Sequence, residues 1–279
     1  MRFDRATIAL VPRTTSNCLD LAVRFSGRHA AVLLSLWMLI AIPSSTVVFL
    51  LTRYLETTML TAIAVTFFAS SVLGFLLITG TAPSAFGEPF VFRKVLKRIR
   101  FREFKQIVVG LLLRLAIAAG LCVFIVPGYW IAVQNSFHAE QSALSQLVGH
   151  VQDRRVGELV RTHLPDLLFR SGLVCGFTFL LWIVVFVTVD AAAGLVFGFP
   201  ILLGRGGDFS SGDAVFSDVG YYVFSDPRVL TTMTATALLV YTFGRLAWFF
   251  CYIDLRVRLD LWDMELLFLQ QTARLEVPE

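Results

Sequence analysis

Hydrophobic positions in this chain fall in long unbroken blocks, not in the alternation of a strand or the 3.6-residue period of a soluble helix. The first block runs from about Ala30 to Leu51 and the second from about Leu60 to Ile78. A third covers about Ile107 to Trp130, and the last about Val229 to Ile253. Crossing the hydrocarbon takes roughly 20 apolar residues, so these blocks predict an all-α, polytopic transmembrane helical bundle. Pro43 sits inside the first block and predicts a bend, with Ser44 and Ser45 placed to serve the carbonyls it leaves open. A turn marked by Arg53 and Glu56 joins the first two blocks into a hairpin. The second block ends in the breaker-rich run Thr79–Pro89.

One block does not fit a single crossing. Between Ser171 and Gly204 the only ionisable side chain apart from Cys175 is Asp190. The stretch is too long for one span and short for two, since Ala191–Gly204 supplies only ~21 Å of helix against a ~30 Å core. Five spans or six follow, according to whether it crosses once or twice. Two crossings, with a turn a few residues before Asp190, satisfy the positive-inside rule better.

The polar segments divide the chain into a leader, a bundle and a tail. Residues 1–29 are a basic leader whose Leu19–Phe25 stretch reads either as a short interfacial helix, with Leu19, Ala22 and Val23 toward lipid, or as an unstructured tail. Residues 30–253 hold the spans. Within them, residues 90–105 pair a basic face with Val95, Leu96 and Ile99, which predicts an amphipathic helix on an anionic leaflet. Residues 134–170 and 205–228 read as loops, the second the more acidic. Residues 254–279 carry an apolar stripe of Leu255, Leu259, Trp262, Leu266 and Leu269, the pattern of a C-terminal amphipathic helix.

Composition agrees with this division. Hydrophobic residues make up 57% of the 279 and charged ones only 16%, against about a quarter in soluble domains. The net charge of +4 lies mostly beside apolar blocks, so it orients the protein and does not mark a nucleic-acid surface. It places residues 1–29 and 93–105 in the cytoplasm and the 134–170 loop outside. No cleavable signal peptide is predicted. Cys18, Cys122, Cys175 and Cys251 have no disulfide or metal-ligand spacing, and neither a metal nor a cofactor is expected.

Charges at membrane depth are the candidate functional residues. Asp190 and Arg245 fall toward one surface in the six-span arrangement and predict a packed ion pair, with Asp254 as an alternative partner for Arg245. Arg114 lies about two turns inside the third block. After the last span, Asp254, Arg256, Arg258, Trp262, Asp263 and Glu265 form a dense group able to hold a partner or to pair with one another.

The run Tyr252-Ile-Asp-Leu-Arg-Val-Arg258, followed by Trp262-Asp-Met-Glu-Leu266, resembles the ending of uncharacterised bacterial multi-pass membrane proteins of planctomycetes and actinobacteria. These are distantly similar to the membrane domain attached to some glycerophosphodiester phosphodiesterases. Val126-Pro-Gly-Tyr129 is similar to that family's third-span end, and Arg154-Arg155 with Leu159-Val160-Arg161 loosely to its central loop. The resemblance implies a bacterial inner-membrane protein, often encoded beside envelope proteins, and carries no catalytic assignment. No His-Glu-x-x-His, Gly-x-Ser-x-Gly or paired membrane aspartates are present. The expectation is therefore a non-enzymatic scaffold or accessory subunit of the cell envelope, with a membrane or envelope protein partner. A transporter or permease-like subunit is the alternative.

Overall fold

The computed structural model describes residues 14–85, 87–97, 101–141, 164–198, 201–202 and 220–259. Its elements are helices: α1 (Thr15–Arg28), α2 (Ala30–Leu55), α3 (Met59–Ala85), α4 (Phe92–Lys97), α5 (Phe101–Val123), α6 (Ile125–Gln134), α7 (Leu164–Phe197) and α8 (Pro227–Leu259). Residues 138–141 and 220–225 are helical as well. Among the described residues, α2, α3, α7 and Pro227–Val257 of α8 are long and apolar enough to cross a membrane. Side-chain capping marks two helix starts. The Thr14 hydroxyl accepts from the Asn17 N–H, and Asp226 Oδ1 accepts from the N–H groups of Arg228 (2.7 Å) and Val229 (3.4 Å). Pro227 takes the first position of α8, where the missing N–H is no loss.

Several boundaries differ from those the sequence predicts. The run from Ser171 into the long apolar stretch is one helix through Asp190 to Phe197, so no turn precedes the aspartate. α3 continues through Thr79 and Pro83 to Ala85 despite its breakers. Tertiary packing overrides propensity there, because Leu77, Ile78, Thr81 and Ala82 are all fully buried or nearly so. The expected third span is broken at Phe124, whose extended backbone (φ −156°, ψ 143°) ends α5 and starts α6. The expected 90–105 helix is divided between α4 and the start of α5. α8 runs past residue 254 without a break, so an independent amphipathic helix does not begin there. Residues 260–279 lie outside the described residues.

The chain forms two compact units. The first comprises Met1–Leu33, Gly74–Val174 and Phe243–Glu279. In it, α1 buries Cys18, Ala22 and Phe25, while Val23 on the other face is 55% exposed. The Phe25 ring lies 5.8 Å from Phe250 and 5.9 Å from Phe90. α1 thus docks its apolar face on protein, not on lipid as the Ala22 reading implied. α6 returns along α5 through a glycine contact. A Cβ on Gly128 would lie 2.8 Å from the Gly120 carbonyl carbon and 2.7 Å from Leu121 Cγ, so this approach requires glycine.

The second unit comprises Leu34–Leu73 and Cys175–Thr242. Val48, Ala62 and Leu230 form a buried cluster with Met59 and Val65 packed against it. Three hydrogen bonds tie its helices: Trp37 Nε1 to the Ala235 carbonyl at 3.0 Å, Thr66 with Thr234 at 3.2 Å, and Trp182 Nε1 to Thr236 at 3.2 Å. Polar contacts of this kind hold helices together where apolar lipid supplies no hydrophobic drive, at ~0.6 kcal/mol each. Of the four long helices α8 is the most buried and α7 the least, with Leu180 and Val184 directed outward.

Candidate functional site

Among the described residues of the first unit, two ion pairs bring buried charges together. Each uses a charge that sequence reasoning assigned to the 134–170 loop. Arg245 of α8 donates from Nη2 to Glu140 Oε2 at 2.7 Å and from Nη1 to the Ser136 carbonyl at 3.3 Å. The Glu140 side chain is fully buried and that of Arg245 is 14% exposed. Phe137, on the same segment, stacks on Trp248 with centroids 5.1 Å apart and lies 4.9 Å from Tyr252. Aromatic packing therefore fixes the segment that presents Glu140 to α8. Burial pushes the Glu140 carboxyl above its ordinary range, and the charge and hydrogen bond of Arg245 offset this only in part. Among the described residues, the buried Glu140 Oε1 and Arg245 Nε find no hydrogen-bond partner.

Arg170 of α7 makes the second pair. Its Nη1 donates to Asp254 Oδ2 at 2.7 Å, and its Nε meets Asp166 Oδ2 at 2.9 Å one turn earlier on α7. The Asp254 side chain has no exposed surface, whereas that of Asp166 is half exposed. Nearby, the Tyr129 hydroxyl hydrogen-bonds Ser171 and the Leu168 carbonyl, which joins α6 to the start of α7. Cys18 of α1 and Cys251 of α8 are both buried and close enough to interact.

These contacts replace the pairs expected from sequence. Arg245 is held by Glu140, and Asp254 by Arg170. In the second unit, Asp190 Oδ1 accepts the backbone N–H groups of Ile201 (2.7 Å) and Leu202 (2.9 Å). Gly198, at φ +70°, ends α7, and the chain comes back to bind the helix that it has just left. Asp190 is thus a backbone anchor, 1% exposed. Arg114 is half-buried on α5. Arg256 is buried at 3% exposure. Arg258 lies in the last turn of α8, and Trp262, Asp263 and Glu265 fall outside the described residues.

Sequence reasoning missed Glu140 and Arg170 because it treated both as loop charges. The four-residue spacing of Asp166 and Arg170 was the one local sign of a helix there. Among the described residues no group of three or more His, Cys, Asp or Glu side chains is placed to hold a metal. What the arrangement does chemically is neutralise charge and fix segments against one another. The fold and its paired interior define a multi-pass helical membrane protein. No protein-family model matches this chain, nor does any curated protein or solved structure.

Proposed function

We propose that this protein is a non-enzymatic scaffold or accessory subunit of the bacterial cell envelope, seated in the inner membrane. The observation that carries this reading is the pairing of Arg245 with Glu140 and of Arg170 with Asp254 inside packed side chains. A translocation path needs polar groups that face water or substrate at depth, and these face each other. The resemblance of the Tyr252–Arg258 run to envelope-associated membrane proteins points the same way.

The topology proposed is four crossings, by α2, α3, α7 and α8, with the α5–α6 hairpin turning back at Phe124. The N-terminus, residues 86–163 and the C-terminus then share the cytoplasmic side, and the 134–170 loop moves there too. The charge distribution supports this. Arg53, Arg205 and Arg228 are the only basic residues left near the other surface, where Asp208, Asp213, Asp218 and Asp226 also lie. Single cysteines in the 205–228 loop and after Arg274, in a variant lacking native cysteines, test it in sealed cells. A labelled loop and a protected tail are expected; a labelled tail overturns the arrangement.

A permease-like role is the second reading, favoured by the fully buried carboxyl of Glu140 and its displaced proton affinity. Proteoliposomes decide between the two. Purified protein that leaves a proton or ion gradient intact, and that migrates in native membranes with a stoichiometric partner, supports the accessory role. Gradient dissipation abolished by Glu140→Gln overturns it.

A further inference from the structure

The first unit brings two basic segments, distant in sequence, to one joint. The rings of Phe25 and His29, at the end of α1, lie 5.9 and 5.4 Å from the Phe90 ring. Phe90 is itself packed against Gly80 of α3, which also touches Val95 of α4. The ends of α1 and α4 are therefore held together by buried aromatic contacts. α2 begins at Ala30 and α3 ends at Ala85, so the joint sits where one apolar helix departs and the next returns.

Around this joint Arg24, Arg28, Arg93, Lys94 and Lys97 are exposed. Asp20 meets Arg24 at 3.0 Å, and Glu88 lines the same shallow pocket as Lys94 and Phe90. Arg28, Arg93 and Lys97 add positive charge beyond these acids. The same charge acts on His29, which burial and Arg28 hold below its ordinary proton affinity, so it adds no further cation near neutral pH. Two apolar side chains, Val23 (55% exposed) and Val91 (40%), stand exposed among the cations. Cations beside apolar groups at a helix end suit the boundary between headgroups and acyl chains.

We propose that the joint of α1 and α4 is a binding site for the phosphate headgroup of an anionic phospholipid. Arg28, Arg93, Lys94 and Lys97 meet the headgroup, and Val23 and Val91 meet the acyl boundary. This rests on the reading of the chain as a membrane protein with its basic end at one leaflet. An anionic lipid bound here fastens α1 and α4 to the bilayer while α1 remains docked on α8.

The test uses the full chain, delipidated in a mild non-ionic detergent and titrated with phosphatidylglycerol or phosphatidylcholine under native mass spectrometry. Wild type should prefer phosphatidylglycerol by about tenfold or more, since several basic residues meet the anionic headgroup together. The variant Arg28→Gln/Arg93→Gln/Lys94→Gln/Lys97→Gln should lose that preference. Lys94→Gln alone, a change at a single exposed side chain, should lower it about threefold or more. Arg53→Gln, at the far end of α2, should leave it unchanged. Equal binding of both lipids by wild type, or an undiminished preference in Lys94→Gln and the fourfold variant, overturns the proposal. Competition by millimolar inorganic phosphate assigns the site to a free ion and overturns the lipid assignment. Failure of the wild type to float with liposomes refutes the membrane reading instead.

Discussion

Removing either partner of the Glu140–Arg245 pair should destabilise the protein with a different pH signature. A carboxyl can become neutral by taking a proton, but a guanidinium cannot lose one. Glu140→Leu strands a buried arginine charge at a cost of about 3–5 kcal/mol, with little dependence on pH. Arg245→Leu leaves a fully buried carboxyl that must protonate. Starting from the ordinary value of 4.5, that costs at most about 3.4 kcal/mol at pH 7 and about 1.4 kcal/mol at pH 5.5, at 1.36 kcal/mol per unit. The sign follows from the direction of the shift. Glu140 is held above its unfolded value, so its contribution is fully present below about 4.5 and is lost as pH rises through the folded value. Thermal unfolding in detergent at the two pH values reads this out. For Arg245→Leu, up to about 2 kcal/mol of stability should return at pH 5.5, more than wild type gains because Arg245 holds the wild-type carboxyl partly down, a recovery of at most roughly 4–8 °C at 2–4 °C per kcal/mol. Glu140→Leu should show no such recovery. The double variant Glu140→Leu/Arg245→Leu should be more stable than either single one, because no charge is stranded. Equal deficits of Arg245→Leu at both pH values, or a double variant no better than the worse single, would refute the reasoning.

Further outcomes follow from the packing. Gly128→Ala should lower the melting temperature, at a cost of roughly 1–3 kcal/mol for overpacking, because the added methyl meets the backbone of Gly120 and Leu121, which cannot swing aside. Gly176→Ala on α7 should be nearly neutral, since nothing lies within 4 Å of that methyl. Asp190→Ala should destabilise by about 2 kcal/mol or more through the lost acceptor for the Ile201 and Leu202 N–H groups. Asp190→Asn, which keeps an acceptor oxygen, should retain most of the stability in the same melt. Mild copper-catalysed oxidation should join Cys18 to Cys251, seen as a loss of two alkylatable thiols in denaturant; unchanged thiol counts would contradict the α1–α8 contact.

Much of the architecture is written in local pattern. Apolar runs at about 30–51, 60–78 and 171–204 contain no charge except Asp190, so composition alone marks them as membrane segments. The class of protein and the basic character of residues 93–97 follow from such runs and their flanks. Helix extents were less legible where tertiary contacts outweigh propensity. Pro83 and Gly80 look like breakers, yet the close seat of Phe90 and Val95 on Gly80 holds α3 in helix. Phe124 looks like any apolar residue, and only the glycine contact behind it turns α5 back into α6.

The site was legible in its residue types and illegible in its pairings. Depth and charge identified Asp190, Arg245 and Asp254 as groups that must find partners, because an isolated charge in a low-dielectric interior is too costly to leave alone. Sequence separation says nothing about which partner is reached. Glu140 looked like one of many loop acids until the stack of Phe137 on Trp248 brought it beside Arg245. The sequence by itself determined that this chain is a helical membrane protein with charges to neutralise, since hydropathy and charge are properties of single residues. The tertiary structure alone decided which charges meet, where the helices turn back and which thiols touch. Those outcomes depend on contacts between segments far apart along the chain, and no local pattern encodes them.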